Sequence, residues 1–126
     1  MAFDTLEIEN HGAVRRILLA REAQRNAQSQ QMLDELMTAL DDARHDDGVH
    51  AVVIGGKGAH FSAGHDLKQA QAERSSFTVE ERWAYEELYY LEYALRIWDC
   101  PQPTIAAVQG ACIAGGFMVA NMCDLL

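Results

Sequence analysis

Proline is scarce in this chain: 126 residues contain two, Pro101 and Pro103, both in one short segment. Each lacks an N–H and restrains the residue before it, so only that segment stops an element through proline chemistry. Positive charge is scarce as well. Ten Lys and Arg stand against nineteen Asp and Glu, for a net charge of -9, which argues against bulk binding to nucleic acid or anionic membranes because both favour a basic face. An anionic ligand would need a local basic patch. Cysteine is limited to three residues, Cys100, Cys112 and Cys123. An odd count without paired spacing argues against a disulfide framework or a cysteine metal site, and reads as reduced thiols in a cytoplasmic protein. No apolar run reaches membrane-spanning length, Met1-Ala2-Phe3-Asp4 lacks a signal pattern, and no internal repeat or low-complexity tract occurs.

What is present suits one domain with a core, since 49% of the residues are hydrophobic. Leu6 to Glu9 and Val14 to Leu19 read as strands around the turn Asn10-His11-Gly12-Ala13. Ser29 is placed to cap a helix to about Arg44, with Leu33, Leu36, Met37 and Leu40 on its apolar face. A strand from Ala51 to Ile54 follows, and the order strand, helix, strand predicts a parallel pair joined by a crossover. Residues Gln69 to Phe77 are polar and read as a mobile loop. Thr78-Val79-Glu80-Glu81 is a capping box opening a helix to about Trp98, with Ala84, Leu88, Leu91, Leu95 and Trp98 as its core stripe. Trp83, Tyr85, Tyr89, Tyr90 and Tyr93 then fall outside the stripe, which predicts a homo-oligomer.

Two stretches carry the chemistry. Thr104 to Val108 reads as a buried strand running through Gln109-Gly110-Ala111-Cys112-Ile113-Ala114 into an apolar helix that opens at Gly115-Gly116. An all-round apolar helix must be buried. The first amides of a helix have no intrahelical acceptor, and glycines let another molecule reach them, or else simply allow tight packing. In the second stretch, strand Ala51 to Ile54 leads into Gly55-Gly56-Lys57-Gly58-Ala59-His60 and then Phe61-Ser62-Ala63-Gly64-His65-Asp66-Leu67-Lys68. Neither Walker spacing nor G-x-G-x-x-G is present, so nucleotide hydrolysis and dinucleotide redox chemistry are poor rivals.

In order and spacing these stretches resemble the F-S-A-G-x-D-L and P-T-I-A-A-V-x-G-x-x-x-x-G-G patterns of the crotonase superfamily, the enoyl-CoA hydratase/isomerase family. Leu18 to Ala27 is similar to a degenerate L-N-R-P-E-x-x-N-A segment. The resemblance implies an α/β crotonase-like spiral of repeated strand-strand-helix units, of which residues 1–126 are the N-terminal part. Asp124-Leu125-Leu126 reads as the start of a further strand. It implies an acyl-CoA thioester partner and no permanently bound cofactor, coenzyme A entering as part of the substrate. The backbone N–H groups of His65 and Gly115 would hold the thioester oxygen while an enolate forms. The coenzyme A surface would involve Arg25, Ala27, Ala63, Gly64, Asp66, Leu67 and Lys68. Arg25 and Lys68 are the basic candidates for its phosphates, or else ordinary surface charge. Asp66 reads as a structural cap rather than a base. The His65 ring either transfers protons or only lines the pocket, and with His60 makes a poor metal pair.

One position departs from the family pattern. Met118 stands where typical hydratases of the family carry their first catalytic glutamate, and a thioether cannot activate water. The resemblance therefore points to an isomerase-like protein of lipid metabolism, active when full length and inactive as this chain. The alternative is a non-catalytic acyl-CoA-binding paralogue or fragment. The family's homotrimer or hexamer is the expected assembly.

Overall fold

The computed structural model describes residues 2–126. Four strands form one sheet in the order β1, β2, β3, β4. β1 (Leu6–His11) and β2 (Val14–Leu19) pair antiparallel, with Ile8 opposite Ile17. Gly12, at φ +60°, makes their tight turn. β3 (Ala51–Gly56) lies parallel to β2, and β4 (Thr104–Ala107) parallel to β3. The expected crossover is α1 (Gln30–Arg44), which Ser29 caps by accepting the Met32 N–H at 3.2 Å. Such a cap contributes about 1 kcal/mol. Leu33, Leu36, Met37 and Leu40 are all buried, joining Ile17, Leu19, Val52, Ile54 and Phe61 in the core.

Three sequence expectations need correction. Of the expected loop from Gln69 to Phe77 only Ser75 to Phe77 is irregular, and the rest belongs to a helix, α2 (Leu67–Arg74). It buries none of its residues, so no apolar period marks it. Its strong helix formers and the Asp66 cap, which accepts the Gln69 N–H at 3.2 Å, make it helical instead.

The second correction concerns the long helix. Its capping box is present, with the Glu81 N–H donating to Thr78 Oγ1 and the Thr78 N–H to Glu81 Oε2. The helix then divides into α3 (Val79–Glu86), a π-helical turn (Glu87–Glu92) and α4 (Tyr93–Trp98). Four residues exceed the 3.6 of an α-turn, so residues spaced by four drift around a regular helix. The wider π-turn absorbs that drift and keeps Tyr85, Tyr89, Tyr93 and Ile97 inward. Leu91, Leu95 and Trp98 of the expected stripe are 53%, 42% and 65% exposed, whereas Tyr93 is fully buried. The tyrosines tolerate burial because their hydroxyls have partners: Tyr89 donates to Asp34 Oδ1 at 3.0 Å and Tyr93 to Gln28 Oε1 at 3.3 Å. The surplus apolar surface thus lies on the opposite face from the tyrosines that suggested it.

α5 (Gly115–Met122) packs on β4 and α4 but buries only one side, leaving Phe117 60% exposed. The expectation of burial all round does not hold within this chain. Beyond it, Leu125 bridges Ile105 in parallel, with the Ala106 N–H donating to the Leu125 carbonyl at 2.9 Å. This is the strand-like start read from the sequence. Among the described residues no helix is long and apolar enough to cross a membrane.

Candidate functional site

The site forms where the loops after β3 and β4 leave the carboxyl ends of parallel strands, the usual place for ligands in open α/β sheets. The loops continue the pairing of their strands. Phe61 N–H donates to the Gln109 carbonyl at 2.8 Å, Ser62 N–H to Ala111 at 3.1 Å, and Ile113 N–H to Ser62 at 3.1 Å. This lacing carries His65 to Gly115. Three glycines permit it. A Cβ on Gly64, whose φ is +92°, would lie 2.8 Å from the Ile113 carbonyl and 3.2 Å from the Gly115 nitrogen. One on Gly116 would meet the Ser62 carbonyl at 2.5 Å, and one on Gly115 would meet His65 Nδ1 at 2.5 Å. Both glycines therefore allow close packing, Gly116 against Ser62 and Gly115 against the His65 ring. Ala114 between the loops holds φ 48° and ψ -114°, a conformation that costs a non-glycine residue about 1–3 kcal/mol.

Local bonding leaves several amides of these loops without a partner among the described residues, those of His65 and Gly115 included. Gly116 N–H donates to Ile113 and Met118 N–H to Ala114, whereas the N–H groups of His65 and Gly115 meet no acceptor among the described residues. His65 and Gly115 both line a cavity of about 360 Å³, together with Leu67, Tyr90, Ile113 and Met118. No residue lining that cavity carries a carboxylate. It adjoins a second cavity of about 820 Å³, which shares Ala63, His65 and Leu67 and reaches Arg21, Arg25, Ala27, Asp66 and Lys68. Thus all the expected binding residues meet around the larger cavity except Gly64. Gly64 is buried, its carbonyl accepting the Gln28 N–H at 2.7 Å.

Asp66 is committed to structure. It caps α2 and accepts from both terminal nitrogens of Arg21 at 3.1 Å. Burial would raise its pKa, but the Gln69 N–H and the Arg21 guanidinium outweigh burial and hold the carboxyl below its usual range. The His65 ring is partly buried. Burial is the largest influence and lowers its pKa against the opposing hydrogen bond to the Tyr89 carbonyl, so the imidazole is neutral at pH 7. His60 faces elsewhere, its Nδ1 accepting the Ala111 N–H at 3.0 Å. Among the described residues no three His, Cys, Asp or Glu side chains converge as for a metal.

Sequence reasoning missed several supports. Asn26 is fully buried, Ser62 likewise, and Arg21 is the partner of Asp66. Ser62 Oγ donates to the Asn26 carbonyl at 2.8 Å and accepts the Gly64 N–H at 3.1 Å. Asn26 lies in the segment already matched to a family motif, but no periodicity or cap pattern assigns it a role.

Comparison with known proteins bears on the whole chain. The model of the enoyl-CoA hydratase/isomerase family matches residues 9–126. A 4-chlorobenzoyl coenzyme A dehalogenase-2 of Arthrobacter sp is 33% identical over 120 residues, covering 95% of this chain and 43% of the relative. Enoyl-CoA hydratase domain-containing protein 3, mitochondrial, of Danio rerio is 37% identical over 119 residues, covering 93% and 39%. The crystal structure of an enoyl-CoA hydratase/isomerase from Xanthobacter autotrophicus Py2 superposes with a TM-score of 0.90 at 41% identity, covering 98% of this chain and 45% of that one. The chain spans about half the length of the curated relatives it matches, 45% in one case and 43% in another. The four-stranded sheet with its helices is accordingly the first part of a crotonase fold, and the chain belongs to the enoyl-CoA hydratase/isomerase family.

Proposed function

We propose that this chain forms the acyl-CoA-binding half of an enzyme of lipid metabolism, in which the backbone N–H groups of His65 and Gly115 hold a thioester oxygen and stabilise an enolate. The observation that carries the reading is that the amides of His65 and Gly115, which the laced loops bring to one cavity, meet no acceptor among the described residues. A thioester α-proton leaves only if charge developing on the carbonyl oxygen meets donors already in place. The basic side chains of the adjoining cavity suit the phosphates of coenzyme A: Arg25 and Lys68 have no ion-pair partner among the described residues, while Arg21 is held by Asp66. Relatives named for coenzyme A substrates favour the same ligand.

The acyl part would enter the smaller cavity beside Met118. With no carboxylate there, proton shuttling as in an isomerase suits the residues better than hydration. The second reading is an acyl-CoA-binding module without catalysis, favoured by the same lack of a carboxylate. Isotope exchange at the thioester α-carbon separates them: exchange above background supports the enzyme, and binding without exchange supports the module.

Binding itself is tested by calorimetry with an acyl-CoA. A side chain at Gly115 would push on His65 Nδ1 at 2.5 Å and Gln28 Oε1 at 2.6 Å, displacing the amide. Gly115→Val is expected to weaken binding about tenfold or more, equivalent to at least ~1.4 kcal/mol. Equal affinities for wild type and variant would remove the site assignment.

Self-association as a trimer or a dimer of trimers is part of the same proposal. Its motive is the exposed row of Trp83, Leu91, Leu95 and Trp98, with Trp83 72% exposed. Sedimentation at micromolar concentration is expected to show an oligomer of the whole protein. A monomer alone would count against it.

A further inference from the structure

The His65 side chain is more constrained than its family-derived role requires. Its Nε2 lies 3.1 Å from the Tyr89 carbonyl. A carbonyl oxygen only accepts, so Nε2 carries the hydrogen and Nδ1 of the neutral ring is bare. The ring also stacks on Tyr90, with centroids 4.0 Å apart and planes 9° apart, and meets Tyr93 edge-on at 6.1 Å. Tyr89 and Tyr90 belong to the π-helical turn, an irregularity often found at functional sites. The same ring backs Gly115, since a Cβ there would lie 2.5 Å from Nδ1. Beside it, Gln28 Oε1 would be 2.6 Å from that Cβ, and the Tyr93 hydroxyl that donates to Gln28 lies 3.5 Å from the Gly115 carbonyl. On the main chain, the Asp66 N–H donates to the Gln28 carbonyl at 2.9 Å, pinning the backbone beside His65. Gln28 is only 3% exposed, and its Nε2 is a buried donor without a partner among the described residues.

One imidazole therefore touches both amide-bearing parts of the site. We propose that the His65 ring is a positioning residue: anchored through Nε2–H on the Tyr89 carbonyl, it sets the spacing and direction of the His65 and Gly115 N–H groups toward the thioester oxygen. This rests on the thioester reading above. The ring does not exchange protons with the substrate; it holds the two donors in register. Its low affinity for protons at neutral pH, caused mainly by burial, agrees with this, because a charged ring would alter the same hydrogen-bond pattern.

Polarisation of a bound carbonyl reports donor geometry directly, which a merely structural role would not move while binding persists. The probe is hexadienoyl-CoA, whose conjugated thioester absorbs to the red when its carbonyl is polarised. The wild-type protein is expected to red-shift it. His65→Phe keeps a ring on Tyr90 and bulk behind Gly115 but loses the N–H donor, and is expected to bind the probe with most of the shift lost. His65→Gln restores an Nε2–H donor and is expected to recover part of the shift. If the wild type binds the probe without any shift, the thioester reading fails and this inference with it. If the wild type shifts the probe and His65→Phe shifts it equally, only the positioning role is overturned. Nitrogen NMR of the wild-type imidazole gives an answer even where the variants do not fold. The Nε2–H tautomer at pH 7 supports the anchor, and the Nδ1–H tautomer overturns it.

Discussion

Asn26→Leu is expected to destabilise the protein by roughly 4 kcal/mol, the sum of three buried hydrogen bonds broken at one residue. Asn26 is fully buried and sits at φ 54°. Its Oδ1 accepts the Arg21 N–H at 2.9 Å, and its Nδ2 donates to the carbonyls of Lys57 at 3.0 Å and His60 at 2.8 Å. Leucine has a similar branched outline but would strand those three backbone groups away from water, and a buried polar group left unsatisfied costs about 1–3 kcal/mol. It would also take a positive φ that asparagine accepts more readily. Relaxation and entering water reduce the sum, yet the remainder is a large part of the 5–15 kcal/mol typical of whole domains. The loss would reach the proposed site. Arg21, Arg25 and Ala27 follow the same turn to the larger cavity, and the Asn26 carbonyl accepts Ser62 Oγ, which in turn holds the Gly64 N–H. Chemical denaturation of wild type and variant measures the difference. Asn26→Gly separates the two causes, since it keeps the backbone freedom and loses the hydrogen bonds. A loss below about 1 kcal/mol in Asn26→Leu would mean that water replaces the amide, and the network would not be essential.

The features legible in the sequence are those with a local signature. Ser29 and Thr78 are recognisable caps because capping needs only a side-chain oxygen and an amide a few residues on. The inward face of α1 follows from spacing, as Leu33, Leu36 and Leu40 are buried at their expected positions. Asp66 is readable as a cap, but its Arg21 partner is not, because the pair spans 45 positions that only the folded chain brings together. α2 escapes notice for the opposite reason: it has helix-forming residues and a cap but no buried face. The π-turn defeats periodicity outright. A stripe counted at the α-helical period selects Leu91, Leu95 and Trp98, and an altered pitch turns Tyr89 and Tyr93 inward in their place. The candidate site is partly legible in its glycines. The need for Gly115 arises from a histidine ring fifty positions earlier in the chain, which no local pattern reveals.

The 126-residue chain is expected not to hydrate an enoyl-CoA, because neither Met118 nor any other residue lining the smaller cavity carries a carboxylate. Addition of water needs one group to take a proton from the nucleophile and one to deliver a proton to the α-carbon. A thioether can do neither. The His65 ring is a titratable alternative lining the same cavity, but its Nε2 is engaged by the Tyr89 carbonyl and its Nδ1 faces Gly115. Met118→Glu changes the chemistry while keeping a side chain of similar length. The new carboxylate would stand near the start of α5, where the helix dipole favours negative charge. The surrounding Leu67, Tyr90 and Ile113 would raise its pKa toward the range useful for general acid–base work. One correctly placed group contributes roughly 10²–10⁴ in rate, so hydration in Met118→Glu is expected to rise above the wild-type background if the thioester is held as proposed. Partial burial of the charge opposes this gain by destabilising the fold, which a parallel denaturation measurement would detect. Loss of enoyl-thioester absorbance with purified protein is the assay. Enzyme-like hydration by the unmodified chain would refute the assignment of Met118 as the missing acid–base position. His65→Ala would then show whether the imidazole had supplied the proton transfer.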